Sequence, residues 1–172
     1  MPESEPPLRL IADEQLGRLS RWLKIIGQDV VYRNDWADEE LLERARGEGR
    51  VILTRDSRLP EKAGGLPLYF VRENYPAQQL REVVEHFRDR IRIEVFTRCV
   101  ECNVPLREVP KPEVEGKVPP FVWKTQTEYR ACPQCGKIFW SATHRERVEV
   151  QLRDILGELY QSLLQSGNNP CS

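Results

Sequence analysis

Two Cys-x-x-Cys pairs constrain the fold of this chain more than any other feature of its sequence. Cys99 pairs with Cys102 in this pattern, and Cys132 pairs with Cys135. Two intervening residues let a tight turn direct both sulfurs of a pair at one ion, and four thiolates complete a tetrahedral zinc site. Four thiolates leave no open coordination position. The sequence therefore predicts a structural zinc ion in a ribbon-like module.

The spacing around the cysteines refines this prediction and leaves two alternatives. The 29 residues between the pairs (103–131) exceed the roughly 15–20 of an ordinary ribbon, which implies a longer central hairpin or loop. Asn103 and Gly136, which follow the two pairs, are residue types that tolerate tight turns. The alternatives are four reduced core cysteines without metal and a redox pair, although no thioredoxin-like context is present. The fifth cysteine, Cys171, is expected to be a free thiol in a polar tail.

The composition predicts a soluble cytoplasmic protein. Of the 172 residues, 40% are hydrophobic, which is enough for a core, and no apolar run approaches the roughly 20 residues needed to span a bilayer. Residues 1–7 are acidic and proline-rich and do not resemble a signal peptide. A reducing compartment disfavours disulfides and so favours metal for the paired cysteines. The 26 basic and 27 acidic residues nearly cancel, so any nucleic-acid surface must come from local clustering.

Strand and helix patterns alternate through roughly the first ninety residues. This alternation favours an α/β fold in which helices flank a parallel sheet. We expect this domain to span 8–91, a zinc ribbon to span 92–142, and a C-terminal helix to span 143–166. The strand patterns lie at 8–13, 29–33, 51–54 and 66–71, and the helical patterns lie at 14–26, from Asp38 to the glycines at 47 and 49, and at 76–90.

Regular structure is expected to be sparse in the middle of the second half. Residues 104–121 are rich in proline and predict a loop. Residues 121–129 are predicted to form an edge strand, and 137–140 a further short strand. One long amphipathic helix is predicted over 143–165, with an apolar stripe that packs on the α/β domain.

Acidic residues stand where two predicted strands end. Asp13 follows the first strand and Asp56 follows the third. Parallel strands share a direction, so both carboxylates should emerge at the carboxyl edge of the sheet, where α/β folds usually bind ligands. Asp38, Glu39 and Glu40 open the second helix and are further candidates. Mg²⁺ and Mn²⁺ prefer oxygen ligands of this kind and can support phosphodiester cleavage.

Each acid also has an ordinary structural interpretation. Asp13 can cap the helix that opens at residue 14, and Asp38 can cap its own helix. Glu39 and Glu40 can complement the helix dipole, and Asp56 can begin a turn. The residue pattern alone leaves both interpretations open.

Four stretches of the chain resemble the RNase domain at the C-terminus of Mut-seven-type exonucleases, a branch of the PIN-like nucleases. They are ADEQLGRLSRWL (12–23), RVILTRD (50–56), RCVECN (98–103) and CPQCGKIFW (132–140), the last followed by Thr143 and His144. The resemblance covers nearly the whole chain in order. It implies a PIN-like fold joined to a zinc ribbon and a metal-dependent RNase activity.

The resemblance also assigns the acids. It implies Mg²⁺ or Mn²⁺ ligands at Asp13, Asp38 and Asp56, with Glu40 as a helper. Related nucleases often pair, which leaves a homodimer as one expected state. The chain departs from the family pattern at 14–15 and 141–142, and the fourth acid common in PIN nucleases has no clear counterpart, with Glu73 a weak candidate.

Basic and aromatic side chains supply candidate RNA contacts. Arg18, Arg21 and Lys24 share one predicted helix face, and Arg55 and Arg58 flank Asp56. Such cations can hold phosphates beside a carboxylate cluster, although a solvated helix face is the ordinary alternative. Four aromatics near the second cysteine pair can stack single-stranded bases or can instead form the ribbon core. They are Trp123, Tyr129, Phe139 and Trp140.

Two histidines complete the candidates. His144 is predicted to cap the last helix or to contact RNA, and His86 to occupy a surface position. The predicted function is a metal-dependent ribonuclease with RNA as its partner. The alternative, from a different class, is a non-catalytic RNA- or ribosome-binding module on the same scaffold.

Overall fold

The structure, a computed structural model, describes residues 6–140 and 143–165. The opening residues 1–5, the departure at 141–142, the end of the predicted 143–166 segment and the lone Cys171 lie outside the described residues. None of the helices within the described ranges combines the length and the apolar character that crossing a bilayer requires.

A four-stranded parallel sheet forms the first half of the molecule. Its strand order is β2-β1-β3-β4, and each neighbouring pair runs parallel. A helix follows each of the first three strands, as the alternation predicted. The strands are β1 (Arg9–Ala12), β2 (Asp29–Tyr32), β3 (Val51–Thr54) and β4 (Leu68–Phe70), and the helices are α1 (Gly17–Ile25), α2 (Asp38–Glu48), α3 (Leu59–Lys62) and α4 (Pro76–His86).

Helices cover both faces of this sheet, so its strands alternate between two cores. Leu10 and Leu53 enter the larger core, whereas their neighbours Ile11 and Ile52 enter the smaller one, and all four are fully buried. Helices α1 and α4 contribute to the larger core, and α2 and α3 to the smaller. The predicted class, a parallel sheet flanked by helices with a four-cysteine module, is confirmed.

A second, antiparallel sheet lies in the cysteine-rich half. Its order is β5-β6-β7, from Arg107–Val109, Tyr129–Ala131 and Ile138–Trp140. A small separate core lies against it, formed by Val109, Val114, Val118, Tyr129 and Ala131, with Trp123 and Trp140 packed alongside.

The region between the cysteine pairs is more ordered than its prolines suggested. Residues 104–121, predicted as loop, contain β5 and a 3-10 turn, Lys111–Val114. The edge strand predicted over 121–129 is wrong, because Pro120–Thr125 forms a helix, α5, and the strand begins only at Tyr129. Proline suits the first turn of a helix, where its missing N–H has no partner to lose. The apolar residues after Pro119 therefore form a helix first, and the chain becomes a strand only at Tyr129.

The single helix predicted over 143–165 is interrupted at Gly157. Helix α6 spans Thr143–Leu156 and α7 spans Glu158–Gln165. Gly157 takes a φ of 56°, the left-handed conformation that ends helices and that glycine adopts without steric cost. The predicted packing holds on both sides of the break, because Leu152 and Leu163 are buried in the larger core.

A close backbone contact connects the two halves of the chain behind α1. The N–H groups of Glu94 and Phe96 donate to the carbonyls of Ile26 (3.0 Å) and Ile25 (2.9 Å). Gly27 ends the helix there with a φ of 91°, and a Cβ at this position would lie 2.7 Å from the Glu94 carbonyl oxygen. Only glycine combines this φ with this approach.

We predict that Gly27→Ala destabilises the protein by about 2 kcal/mol or more, because it combines a left-handed backbone with a clash against main chain. Gly47→Ala is the matched control. Gly47 lies inside α2 with nothing within 4 Å of its added Cβ, so alanine there should stabilise by about 0.5–1 kcal/mol. Chemical denaturation of both variants measures the difference, and equal stabilities would contradict this account.

Candidate functional site

The four paired cysteines converge on one point. Their sulfurs all lie within 4.8 Å of one another, and the Sγ atoms of Cys99 and Cys135 are 3.9 Å apart. A tetrahedral ion with bonds of about 2.3 Å separates its sulfur ligands by about 3.8 Å. The donor set and its spacing therefore fit a single zinc ion.

The two cysteine pairs have the same backbone design. The N–H of Asn103 donates to the Cys99 carbonyl and that of Gly136 donates to the Cys132 carbonyl, both at 2.9 Å. Asn103 and Gly136 take left-handed φ values of 59° and 73°. The predicted turn residues thus close each pair into a knuckle that aims both of its sulfurs inward.

Backbone amides favour the thiolate form of one ligand. Burial by itself would raise the pKa of Cys132, but the N–H groups of Cys135 and Gln134 donate to its sulfur at 3.4 Å. Together with hydrogen bonds from neighbouring thiols, they lower the pKa of Cys132 to about 7. A thiolate is the form that binds metal.

The first knuckle is fastened to the edge of the parallel sheet by Asn103. Its Oδ1 accepts from the Val30 N–H (3.0 Å), and its Nδ2 donates to Asp29 Oδ1 (2.7 Å). Asp29 in turn accepts from the buried Arg50 guanidinium at 2.8 Å. Sequence reasoning found Asn103 as a turn residue but missed this second role. The available signal was an amide side chain at a position that glycine fills in the other knuckle.

Lys24 also serves this junction, which corrects one predicted RNA contact. Its side chain is buried, and its Nζ donates to the Val100 carbonyl of the first knuckle at 3.3 Å. Burial lowers the pKa of Lys24. The predicted cationic face of α1 therefore loses Lys24, whereas Arg18 and Arg21 are exposed.

Asp13 and Asp56 lie at the same carboxyl edge of the sheet. Asp13 Oδ2 accepts from the Thr54 hydroxyl (2.8 Å), and the oxygen of that hydroxyl accepts from the Asp56 N–H (2.9 Å). Thr54 is fully buried. Sequence reasoning did not single out this threonine, although it directly precedes the Arg55-Asp56 pair at the strand end.

The structural interpretations of Asp13 and Asp56 hold as well, whereas the predicted capping role of Asp38 is wrong. The other oxygen of Asp13 accepts from the Glu14 N–H at 2.6 Å and so caps the turn that leads into α1. Asp56 accepts from the Arg58 N–H at 2.9 Å and begins a turn. Asp38 is the first residue of α2 and not its cap, because Ala37 occupies the cap position.

Cations from the α3 segment lie against two of the acids. Arg58 makes two hydrogen bonds to Asp56, both of 3.1 Å, and its side chain lowers the pKa of that carboxyl. Lys62 donates to Asp38 at 2.5 Å, and Asp38 raises the pKa of that amine. Glu40 is exposed. Over the described residues, the four cysteines are the only group of three or more His, Cys, Asp or Glu side chains placed to hold a metal ion, so the carboxylates lie near one edge without forming such a group.

Arg55 grips the loop that follows β4. Its guanidinium donates to the carbonyls of Val71 (3.0 Å), Arg72 (2.8 Å) and Glu73 (2.5 Å), and to Asn74 Oδ1 (2.7 Å). This predicted RNA contact is thus engaged with the protein's own backbone. The carboxylate of Glu73, the weak candidate for a fourth acid, is on an exposed residue of the same loop.

The candidate stacking aromatics lie in the small core or along a cavity, and Trp140 contacts both. Trp123 and Tyr129 pack in the small core of the second sheet. Phe139 and Trp140 line an open cavity of about 220 Å³ together with Phe96, Ile138, Arg130 and His144. His86 is exposed, as predicted, and stacks on Tyr69 with ring centroids 4.0 Å apart.

Fold and site together define a parallel α/β domain with acids at its carboxyl edge and a fastened four-cysteine metal module. The model of the Mut7-C RNAse domain family matches residues 8–152. The chain belongs to that family, as the resemblance of its motifs indicated, and membership supports a nuclease class of function.

One curated relative carries a related name. The chain is 33% identical over 101 residues to the exonuclease mut-7 homolog of Homo sapiens. The matched region covers 55% of this chain and 12% of that protein. This chain therefore corresponds to a small part of that relative's length. No solved structure matches the chain.

We predict about one zinc ion per purified chain, measured by elemental analysis. Cys99→Ser removes a fully buried ligand and should abolish stoichiometric zinc and lower the stability by several kcal/mol, because metal binding and folding of such modules are coupled. Cys171→Ser, outside the paired motifs, is the control and should keep its zinc. Zinc-free wild-type protein with an unchanged melting temperature would contradict the assignment.

We also predict that Asp29→Asn destabilises the protein by about 1–3 kcal/mol at pH 7, because the buried Arg50 loses one of its two carboxylate partners and keeps only Glu48. Burial would raise the pKa of Asp29, but the hydrogen bonds from Arg50 and Asn103 outweigh it and lower the pKa. The carboxylate therefore stabilises the fold fully above its ordinary pKa of about 3.9, and this contribution is lost as the pH falls through the lowered value.

Unfolding curves of wild type and Asp29→Asn between pH 7 and pH 2 measure this effect. The gap in unfolding free energy between the two proteins should narrow as the pH drops below about 4. Asp89→Asn, whose side chain is 96% exposed, should show a small and nearly constant gap. A constant gap for Asp29→Asn would show that its carboxylate is not the group that titrates.

Proposed function

We propose that this protein hydrolyses RNA phosphodiester bonds with Mg²⁺ or Mn²⁺ bound at the carboxyl edge of the parallel sheet. Asp13, Asp38 and Asp56 are the proposed ligands, and Glu40 is a proposed helper. Family membership supports the nuclease class. The metal, the RNA substrate and the residue roles are the parts that we propose.

One observation carries this proposal: the Thr54 hydroxyl links the Asp13 carboxylate to the backbone N–H of Asp56, so two acids 43 positions apart in the chain lie at one edge of the sheet. Carboxylates brought together repel each other unless cations compensate them. Oxygen donors without sulfur or imidazole suit Mg²⁺ or Mn²⁺ in preference to zinc. The donor chemistry at this edge therefore fits a hard divalent ion and differs from the cysteine cluster.

Such an ion would supply a polarised phosphate oxygen and an activated water. The chain's own residues do the remaining work. Asp13 is buried and held by the Glu14 N–H and Thr54, so its carboxylate is fixed before substrate arrives. Arg58 and Lys62 now neutralise Asp56 and Asp38. If Asp56 and Asp38 held a divalent ion, Arg58 and Lys62 would be available to bind RNA phosphates.

Further RNA contacts are proposed on the surface of α1. Arg18 and Arg21 are exposed in the N-terminal half of α1, the half that is closer to Asp13 in the sequence. There they can hold the phosphate backbone of RNA. We propose that the zinc module braces this domain through Asn103 and Lys24 and takes no part in the chemistry. Four free thiols at a metal site suit a reducing compartment, so cytoplasmic localisation is retained as a proposal, as is a homodimer.

A non-catalytic RNA-binding module is the second candidate. The specific observation in its favour is that, among the described residues, the carboxylates do not form a three-acid cluster as tight as that of the cysteines. Asp38 and Asp56 are each satisfied by a cation of the chain itself. This candidate predicts RNA binding without cleavage.

We predict that the wild-type protein cleaves a mixture of single-stranded and structured RNA in Mn²⁺ or Mg²⁺ and that a chelator stops it. Asp13→Asn should reduce the rate about a hundredfold or more, because loss of a metal ligand removes several kcal/mol of transition-state stabilisation. Asparagine can still accept the capping hydrogen bond from Glu14, so this variant should fold.

Asp89→Asn, on a fully solvated side chain, is purified in parallel as the control for contaminating nucleases. Cleavage that persists in Asp13→Asn would exclude this acid as a ligand. RNA binding by both proteins with cutting by neither would establish the second candidate.

A further inference from the structure

Exposed aromatic side chains concentrate at the same edge as the acids. Among the Phe, Tyr and Trp side chains of the described residues, three are exposed: Phe70 (36%), Tyr75 (69%) and Phe121 (75%). Phe70 ends β4 and Tyr75 immediately precedes α4, so a four-residue loop separates them. Single exposed apolar side chains are ordinary, whereas grouped ones rimmed by polar residues often mark a binding surface, so the informative feature is that one short loop joins two exposed rings.

The strand register brings Phe70 beside the candidate catalytic acids. Thr54 and Phe70 are register partners on β3 and β4, and Asp13 donates its N–H to Leu53 on the other side of β3. Asp13, Thr54 and Phe70 thus continue one row across three neighbouring strands. Strands lie about 4.8 Å apart, so the backbones of Asp13 and Phe70 are separated by about 10 Å.

The loop between the two rings is held by three side chains. The Arg55 guanidinium donates to three carbonyls of the loop, as described above. The buried Gln79 donates to the Glu73 carbonyl at 3.0 Å. The Glu82 carboxylate accepts from the N–H groups of Arg72 and Glu73, each at 3.0 Å. These hydrogen bonds hold the backbone of the loop that joins Phe70 to Tyr75.

These observations specify a ligand chemistry. Unpaired nucleobases stack on exposed aromatic rings with little regard to sequence, whereas bases inside a duplex have no free face to offer. We propose that Phe70 and Tyr75 form a stacking platform that holds unpaired bases of the RNA beside the phosphate to be cleaved. The platform makes the preferred substrate single-stranded. This inference rests on the proposed function, because it places the platform next to that active site.

Binding experiments test the platform separately from the chemistry. The probe is a single-stranded RNA dodecamer that carries one 2-aminopurine, compared with the same sequence as a duplex. All proteins carry Asp13→Asn, so the RNA stays intact. Tyr75→Ala and Phe70→Ala should each weaken single-strand binding about tenfold and reduce the quenching of 2-aminopurine. Duplex binding should change less than twofold.

Phe121→Ala is the matched control, since it removes an equally exposed ring from α5 in the cysteine-rich half. It should leave both affinities unchanged. Tyr75→Phe keeps the ring and should bind single-stranded RNA as Tyr75 does. If the hydroxyl group and not the ring bound the RNA, Tyr75→Phe would bind as weakly as Tyr75→Ala. Because Phe70 is only 36% exposed, its loss can also destabilise the fold. Phe70→Ala therefore counts as a test only if its melting temperature is unchanged, and Tyr75→Ala is the test otherwise.

The possible results separate the two proposals. Wild-type affinity in Tyr75→Ala, or equal losses for single strand and duplex, overturns the platform even if the protein cleaves RNA. Weakening by Phe121→Ala without weakening by Tyr75→Ala also overturns it and moves base binding to the cysteine-rich half. Selective loss of single-strand binding, in a protein that never cleaves RNA, supports the platform while the ribonuclease proposal fails.

Discussion

The carboxamide of Asn103 connects the two halves of this molecule. The backbone of Asn103, in the left-handed conformation, closes the first cysteine knuckle. Its side chain forms hydrogen bonds with Val30 and Asp29 on an edge strand of the parallel sheet. Arg50 continues the contact from Asp29 to the Leu10 carbonyl in β1. A site for a soft metal is thereby tied, through three polar side chains, to the sheet that carries the hard oxygen donors. The four-cysteine cluster and the acids of the carboxyl edge therefore share one scaffold.

Charge compensation organises the carboxyl edge. Asp13 receives neutral donors, the Glu14 N–H and the Thr54 hydroxyl, whereas Asp56 and Asp38 receive the cations Arg58 and Lys62. Both cations come from the short segment around α3, so one piece of chain neutralises two acids from different elements. Exposed ion pairs of this kind contribute little to stability and exchange readily. Acids paired in this way can change partners without loss of the fold.

Sequence periodicity was sufficient to predict the parallel half, because alternating apolar patterns and glycine stops at Gly27 and Gly49 mark each element by local rules. The cysteine spacing likewise predicted a four-sulfur cluster. Local rules failed where two outcomes compete. The apolar run after Pro120 can coil or extend, and packing on the small core decides. The side-chain roles of Thr54, Lys24 and Asn103 depend on partners 41, 76 and 73 positions away, which no local pattern encodes.

The position of the first knuckle has a consequence for solubility. β2 is an outer strand of the parallel sheet, and the Asn103 oxygen occupies its Val30 N–H. Unpaired N–H groups on an outer strand are templates for pairing with another chain. Separation of the first knuckle from β2 would expose this N–H and allow another chain to pair with the strand. The Asn103 side chain thus covers a pairing site on the outer strand as well as joining the two halves of the molecule.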